Sequence, residues 1–181
     1  TLYENYMPYA MSVIVSRAIP EIDGFKPAHR KLLYTMYKMN LMGGPRAKSA
    51  DVVGQTMKLN PHGDQAIYET LVRLTRGNGT LLHPWIDSKG NFGSVTSRDM
   101  QYAASRYTEV RLDPSCETLF SGLDKDAVDY VDNYSGTMQE PVLFPAVFPT
   151  ILVNNNQGIA VGMASNICSF NLSEISETTI A

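Results

Sequence analysis

"SADVVGQTMKLNPHGDQAIYETLVRLTRG", residues 49–77, is the stretch whose reading decides the fold. Residues 49–58 suit a short helix with Ser49 as its cap. Asp64 reads as the N-cap of a second helix running to about Arg76, and Gly77 as its C′ stop. Ile67, Leu71 and Leu74 recur at helical spacing and mark one buried stripe. The tight "LNPHG" between the two gives a helix-turn-helix spacing, a pattern that many helical hairpins share. The next 35 or so residues sharpen it. "WIDSKGNFGSV" (85–95) is glycine-rich and hairpin-like, 99–105 is a helical patch, and "YTEVRL" (107–112) reads as a strand. A helix-turn-helix leading into strands is the order of a winged helix.

Upstream, residues 2–18 read as a helix with an early Pro8, stopped by Pro20. "PEIDGFKP" (20–27) is a loop with Asp23-Gly24 as its turn. Pro27 then opens a helix over 27–40, with Leu32, Leu33, Met36 and Met39 as its apolar face. Met7, Met11 and the tyrosines at 3, 6 and 9 read as packing, like Met36 and Met39. Downstream, 115–124 reads as helix and 127–135 as a strand with a turn. From Pro141 prolines, an Asn run and Gly158/Gly162 suggest short strands and loops, with a final helix near Asn171. The expected class is therefore α+β, mainly helical, with a boundary near 140 separating 1–140 from 141–181.

With 181 residues, 44% hydrophobic and 18% charged, the chain suits a packed globular protein. No apolar run approaches the roughly 18 residues of a membrane span. The start at Thr1 reads as that of an excised fragment, and no signal peptide is expected. Cys116 and Cys168 have no metal or redox spacing and read as packing thiols in a reducing compartment. The net charge of −3 hides an asymmetry. Residues 1–111 hold 14 Lys/Arg against 9 Asp/Glu, whereas 112–181 hold a single Lys against 9 Asp/Glu. A basic front suits a polyanion, and chance clustering on a solvated surface fits as well.

Arg106-Tyr107 is the pair with chemical interest. A phenol is a poor nucleophile; a guanidinium at hand favours its charged form and stabilises charge on phosphoryl oxygens. The pair suits attack on a phosphodiester, giving a phosphotyrosyl enzyme, although most Arg-Tyr dipeptides are structural. His62, in "NPHGD", sits just before a helix N-terminus, where free N–H groups can hold an anion; a histidine capping its own turn reads equally. Lys26, His29, Arg30 and Lys31 cluster in "DGFKPAHRK", where Lys26 and Arg30 would share a helix face. No metal-ligand cluster emerges and no GK[ST] loop exists, so a divalent metal would have to come from elsewhere.

Taken in order, "YAMSVIVSRAIPEIDGFKPAHRKLLYTM", "PHGDQAIYETLVRL", "GNFGS", "RYTEVRL" and "ILVNNNQGIAVGMASNI" resemble the breakage-reunion (A) subunit of bacterial type IIA DNA topoisomerases, DNA gyrase and topoisomerase IV. The resemblance covers essentially the whole chain. It implies a CAP-like winged-helix DNA cleavage domain over 1–140 and the start of a tower domain over 141–181. It makes Tyr107 the nucleophile that forms a 5′-phosphotyrosyl bond, with Arg106 on transition-state charge and His62 at the scissile phosphate. Arg17, Lys26 and Arg30 complete the phosphate set, and His29, Lys31 and Lys48 are further expected DNA contacts. Ile159 matches an apolar wedge between base steps. Asn60 stands where many relatives have His. The implied partners are double-stranded DNA, a second copy of the A subunit, and the B subunit of an A2B2 assembly. The B subunit would bind the Mg²⁺ and ATP, and ATP would drive conformational cycling rather than ligation. The implied location is cytoplasmic and nucleoid-associated. A winged helix that binds DNA without chemistry is the alternative.

"DQAIYETLVRL" matches the family's DNA-facing helix, where fluoroquinolones also bind. Gln65 replaces the usual small hydroxyl residue there, while Glu69 keeps the acidic position. The drug-bound metal's water bridge normally uses both. The expected outcome is weakened quinolone poisoning, read as drug-trapped plasmid cleavage; near-normal poisoning contradicts it.

Overall fold

The computed structural model describes residues 2–181, without the side chains of residues 2, 3, 13, 15 and 16. The class is α+β: six α-helices and three small antiparallel sheets among the described residues. The chain forms two compact units. One is residues 28–147; the other joins residues 1–27 to 148–181. The chain thus leaves the larger unit at 147, a few residues beyond the composition change near 140.

In the larger unit, α2 (Pro27–Lys38) buries Leu32, Leu33 and Met36. Strand β1 (Ala47–Lys48) leads into α3 (Ser49–Thr56), and residues 57–63 connect it to α4 (Asp64–Leu74). Ile67, Leu71 and Leu74 are buried, as their spacing predicts. The helix ends differ from expectation by one or two residues. Lys48 and Gly63 occupy the N-cap positions, and Ser49 and Asp64 are the first helical residues. Ser49 is fully buried because its hydroxyl meets Thr108 instead of capping its own helix. Helix α4 stops at Leu74, since Thr75 turns extended to bridge Ile86. Gly77 is therefore no helix stop.

Strands β2 (Ile86–Lys89) and β3 (Glu109–Leu112) complete a sheet of order β1-β3-β2. Residues 85–95 thus form no local hairpin; β2 pairs with β3 in the register Ile86↔Leu112 to Lys89↔Glu109. Ile86, Val110 and Leu112 face the core at 0–2% exposure. Asp87, Lys89, Glu109 and Arg111 alternate onto the other face. No helix forms at 99–105: the chain runs irregularly to a 3₁₀ turn at Ser105–Tyr107, and the strand begins only at Glu109. Beyond it, a short α5 (Glu117–Phe120) buries Leu119 and Phe120, and β4 (Tyr130–Asp132) pairs with β5 (Gln139–Pro141). Cys116 is buried with its Sγ donating to the Trp85 carbonyl at 3.0 Å. Cys168 is exposed.

In the smaller unit, α1 (Leu2–Val13) runs into a π-helical turn, Ile14–Ala18. The packing expected of its aromatic and Met residues is not seen. Tyr6, Met7, Tyr9 and Met11 are exposed, whereas Ala10 of the same helix is buried. The side chain of Tyr3 lies outside the described residues. Strands β6 (Asn156–Ala160) and β7 (Met163–Ile167) form a two-residue hairpin, and α6 (Leu172–Ile180) is capped by Asn171, whose side chain accepts from the Ser173 amide. Gly158 of β6 lies against the π-turn so closely that a Cβ would overlap the Ala18 carbonyl. Gly158→Ala is expected to destabilise the protein by about 3 kcal/mol, read as a lower urea midpoint at unchanged m-value.

Candidate functional site

Tyr107 closes the 3₁₀ turn, its amide donating to Ala104 O at 2.9 Å. Its side chain is 66% exposed, rare for so large an apolar ring. The Arg106 guanidinium carbon lies 4.8 Å from the ring centroid, a cation–π contact. The phenol hydroxyl bonds to no described residue, so solvent or a ligand can reach it.

The turn is exposed, yet the chain on both sides is pinned. Before it, Ala103 N donates to Asn91 O at 2.9 Å, and Asn91 Nδ2 donates to Gln101 O at 2.9 Å. Gly93 makes this possible. At φ +72° its amide donates to Asn91 Oδ1, and a Cβ would come within 2.8 Å of Met100 O. After the turn, fully buried Thr108 donates to Ser49 Oγ at 2.7 Å, and the Ser49 amide donates to Thr108 O at 3.0 Å. Tyr68 of α4 reaches both sides. Its Oη donates to Ala103 O at 2.6 Å and lies 3.1 Å from Thr108 Oγ1.

A groove of about 530 Å³ runs between α3, the start of α4 and residues 102–105. Across it Gln65 Nε2 donates to Glu69 Oε1 at 3.0 Å and to Tyr102 Oη at 3.2 Å, and Tyr102 Oη lies 3.5 Å from the same Glu69 oxygen. Tyr102 also meets Tyr68 edge-on at 5.5 Å between centroids. Sequence reasoning named Gln65 and Glu69 but missed Tyr102, Tyr68, Thr108 and Ser49. The available signal was position: Tyr68 is next to Ile67 on the buried side of α4, and Thr108 is next to Tyr107.

The structure divides the other expected residues. His62 is exposed in the segment entering α4, and Asn60 beside it is buried. Lys48 pairs with Glu109 at 2.9 Å, two residues along the strand from Tyr107. The outer face of the sheet gathers Arg46, Lys48, Lys89 and Arg111 around Asp87 and Glu109. Lys48 holds the Glu109 carboxyl below its usual range. On α2, His29 is half-buried and Arg30 is buried. The Lys31 ammonium donates to Leu59 O at 3.0 Å and pairs with Glu140 at 3.4 Å. Burial pushes the Glu140 carboxyl up, and Lys31 only partly offsets it. Arg17, Lys26 and Ile159 belong to the smaller unit. Arg17 is exposed on the π-turn, and Lys26 Nζ donates to Gln157 O at 2.6 Å. Lys26 precedes α2 instead of sharing a helical face with Arg30. Ile159 is 87% exposed beside the hairpin end, flanked by exposed Val161 and Met163.

Known proteins are similar to this chain over nearly its whole length. The family model for the A subunit of DNA gyrase/topoisomerase IV matches residues 17–181. The DNA gyrase A subunit of Chlamydia pneumoniae is 48% identical over 180 residues, covering 98% of this chain and 21% of that protein. The Synechocystis DNA gyrase A subunit is 47% identical over 182 residues, covering 98% and 21%. The DNA topoisomerase 4 A subunit of Rickettsia conorii is 47% identical over 182 residues, covering 99% and 24%. The chain thus spans under a quarter of the length of these curated relatives.

Gly93→Ala tests how the turn is held. The strained φ and the contact with Met100 O are expected to cost about 2 kcal/mol in urea denaturation. Amide exchange at Ala103, whose bond to Asn91 depends on this loop, should quicken. An unchanged midpoint and unchanged exchange contradict the account.

Proposed function

This chain belongs to the family of DNA gyrase/topoisomerase IV A subunits, and from that premise we propose that it carries the DNA-cleaving and religating centre of an ATP-dependent type II topoisomerase. Tyr107 is the nucleophile. The observation that carries this is an exposed tyrosine hydroxyl, without a partner among the described residues, on a short turn whose flanks are anchored in the core.

In the proposed reaction Tyr107 Oη attacks a backbone phosphorus. The P–O3′ bond breaks as the O–P bond to tyrosine forms, and the tyrosine proton ends on the released 3′-hydroxyl. Reversal reseals the strand without an energy source, because one phosphoester replaces another. Arg106 supplies planar positive charge for the phosphoryl oxygens as they crowd at phosphorus. Its present position over the Tyr107 ring keeps it within reach of that site. His62, at the entry to α4, is assigned to the scissile phosphate region. The remaining cations, Arg17, Lys26, His29, Lys31 and Lys48, are assigned to backbone positioning, which fixes register without reading sequence; Arg30, expected with them, is buried and is left out of that set. Ile159 is assigned to wedging between base steps. Two protomers cutting opposite strands would open a gate for a second duplex.

The helix pair α3–α4 and the sheet β1-β3-β2 are read as a CAP-like winged helix within residues 1–140, and residues from about 141 as the start of a tower domain. Mg²⁺ and ATP are assigned to the partner B subunit of an A2B2 assembly. No described helix is long and apolar enough to cross a membrane, and the proposed site of action is the cytoplasmic nucleoid.

The test combines the full-length protein with Mg²⁺ and its cognate B subunit on supercoiled plasmid, with detergent trapping. Wild type is expected to leave protein-linked 5′ ends and Tyr107→Phe none. Equal DNA binding with no covalent product from either would leave a winged-helix binder, with Arg106-Tyr107 a structural pair.

A further inference from the structure

We propose that Tyr68 is a positioning residue for Tyr107: its buried hydroxyl fastens the chain on both sides of the reactive turn to helix α4. The inference rests on Tyr107 being the nucleophile. Tyr68 is 4% exposed and cannot itself touch DNA. Its hydroxyl donates to Ala103 O at 2.6 Å and touches Thr108 Oγ1 at 3.1 Å, whose own proton goes to Ser49 Oγ. These anchors bracket the four residues 104–107, so the segment that presents Arg106 and Tyr107 is a short span between two fixed points. Thr108 passes the restraint to the first residue of α3 through Ser49 Oγ at 2.7 Å. Burial raises the Tyr68 phenol above its ordinary value, which keeps it a proton donor throughout the working pH range.

The consequence is mechanical coupling. Helix α4 carries Gln65 and Glu69 on its exposed side and Tyr68 on its buried side. When DNA seats on α4, any shift of that helix is delivered through one hydroxyl to the turn holding the nucleophile. In-line attack tolerates little error: a displacement of about 1 Å can cost about 100-fold in rate. Tyr68 is thus placed to set the aim of Tyr107 rather than its chemistry.

Tyr68→Phe removes the hydroxyl and keeps the ring that packs against Tyr102. Thr108→Val removes the second anchor, and Thr108→Ser restores its hydroxyl. All are made in the full-length protein and assayed on plasmid with Mg²⁺ and the cognate B subunit, below the melting temperature of each variant. At saturating DNA, Tyr68→Phe and Thr108→Val are expected to form the covalent complex at least about 10-fold more slowly, with unchanged DNA affinity. Thr108→Ser should recover most of the rate. Wild-type rates in both folded variants overturn the inference. So does a loss of affinity that matches the loss of rate, since that marks a merely structural role. If Tyr68→Phe does not fold, the Val/Ser pair at Thr108 decides alone. Tyr107→Phe runs alongside: a covalent product from it defeats the functional reading itself, whatever Tyr68 does.

Discussion

Strand β3 is paired along both edges, and much of the larger unit depends on that one constraint. It has four residues, Glu109–Leu112, and each partner comes from a different part of the chain. β1 enters from before α3, and β2 from after α4. For the three to align, the helix pair must fold back over the sheet, which buries Val52 and Leu71 on the helices and Val110 and Leu112 on the strand. Burial of each such side chain stabilises by about 1.5–3 kcal/mol, and where β1 ends the Leu112 amide donates to Leu41 O at 3.1 Å instead. Two residues upstream of this fixed strand, Tyr107 has little freedom in where its backbone lies.

The electrostatics obey the same frame. Alternation along β2 and β3 sends their apolar residues to the core and their charges outward, where cations from β1 and its lead-in join them. The carboxylates Asp87 and Glu109 hold those cations in place without cancelling them. Surface pairs of this kind add little stability. Five of the nine acidic residues of the C-terminal half, Asp124, Asp126, Asp129, Asp132 and Glu140, lie in or near β4 and β5. There Tyr37 donates to Asp124 at 2.6 Å, and its own phenol is pushed up to about 12, chiefly by that bond.

Helices with strong period were legible in the sequence: α2, α4 and the Asn171-capped α6 lie within a few residues of where spacing and capping residues put them. Motif order gave the family. The misreadings have physical causes. Ser49 looked like a cap because Ser caps helices locally, but a buried hydroxyl 59 residues away competes for it. Residues 99–105 looked helical, yet Asn91 and Ser94 satisfy the Met100 and Gln101 carbonyls and the Ala103 amide from outside. Tyr68 and Tyr102 escaped notice because a tyrosine's hydroxyl partner is a tertiary fact, whereas its ring already explains its place on an apolar face.

The long-range pairing of β1 with β3 also bears on how the protein is made. Both helices, α3 and α4, lie inside the loop that this pairing closes. Closing a long loop has an entropic cost that comes before any strand contact can offset it, and non-local sheets of this kind form slowly. The local helices α3 and α4 can form early, but Thr108 cannot meet Ser49 until the sheet closes. The turn that carries Tyr107 is therefore completed together with the sheet. A chain halted partway through folding would expose Tyr107 on a turn whose far flank is not yet anchored.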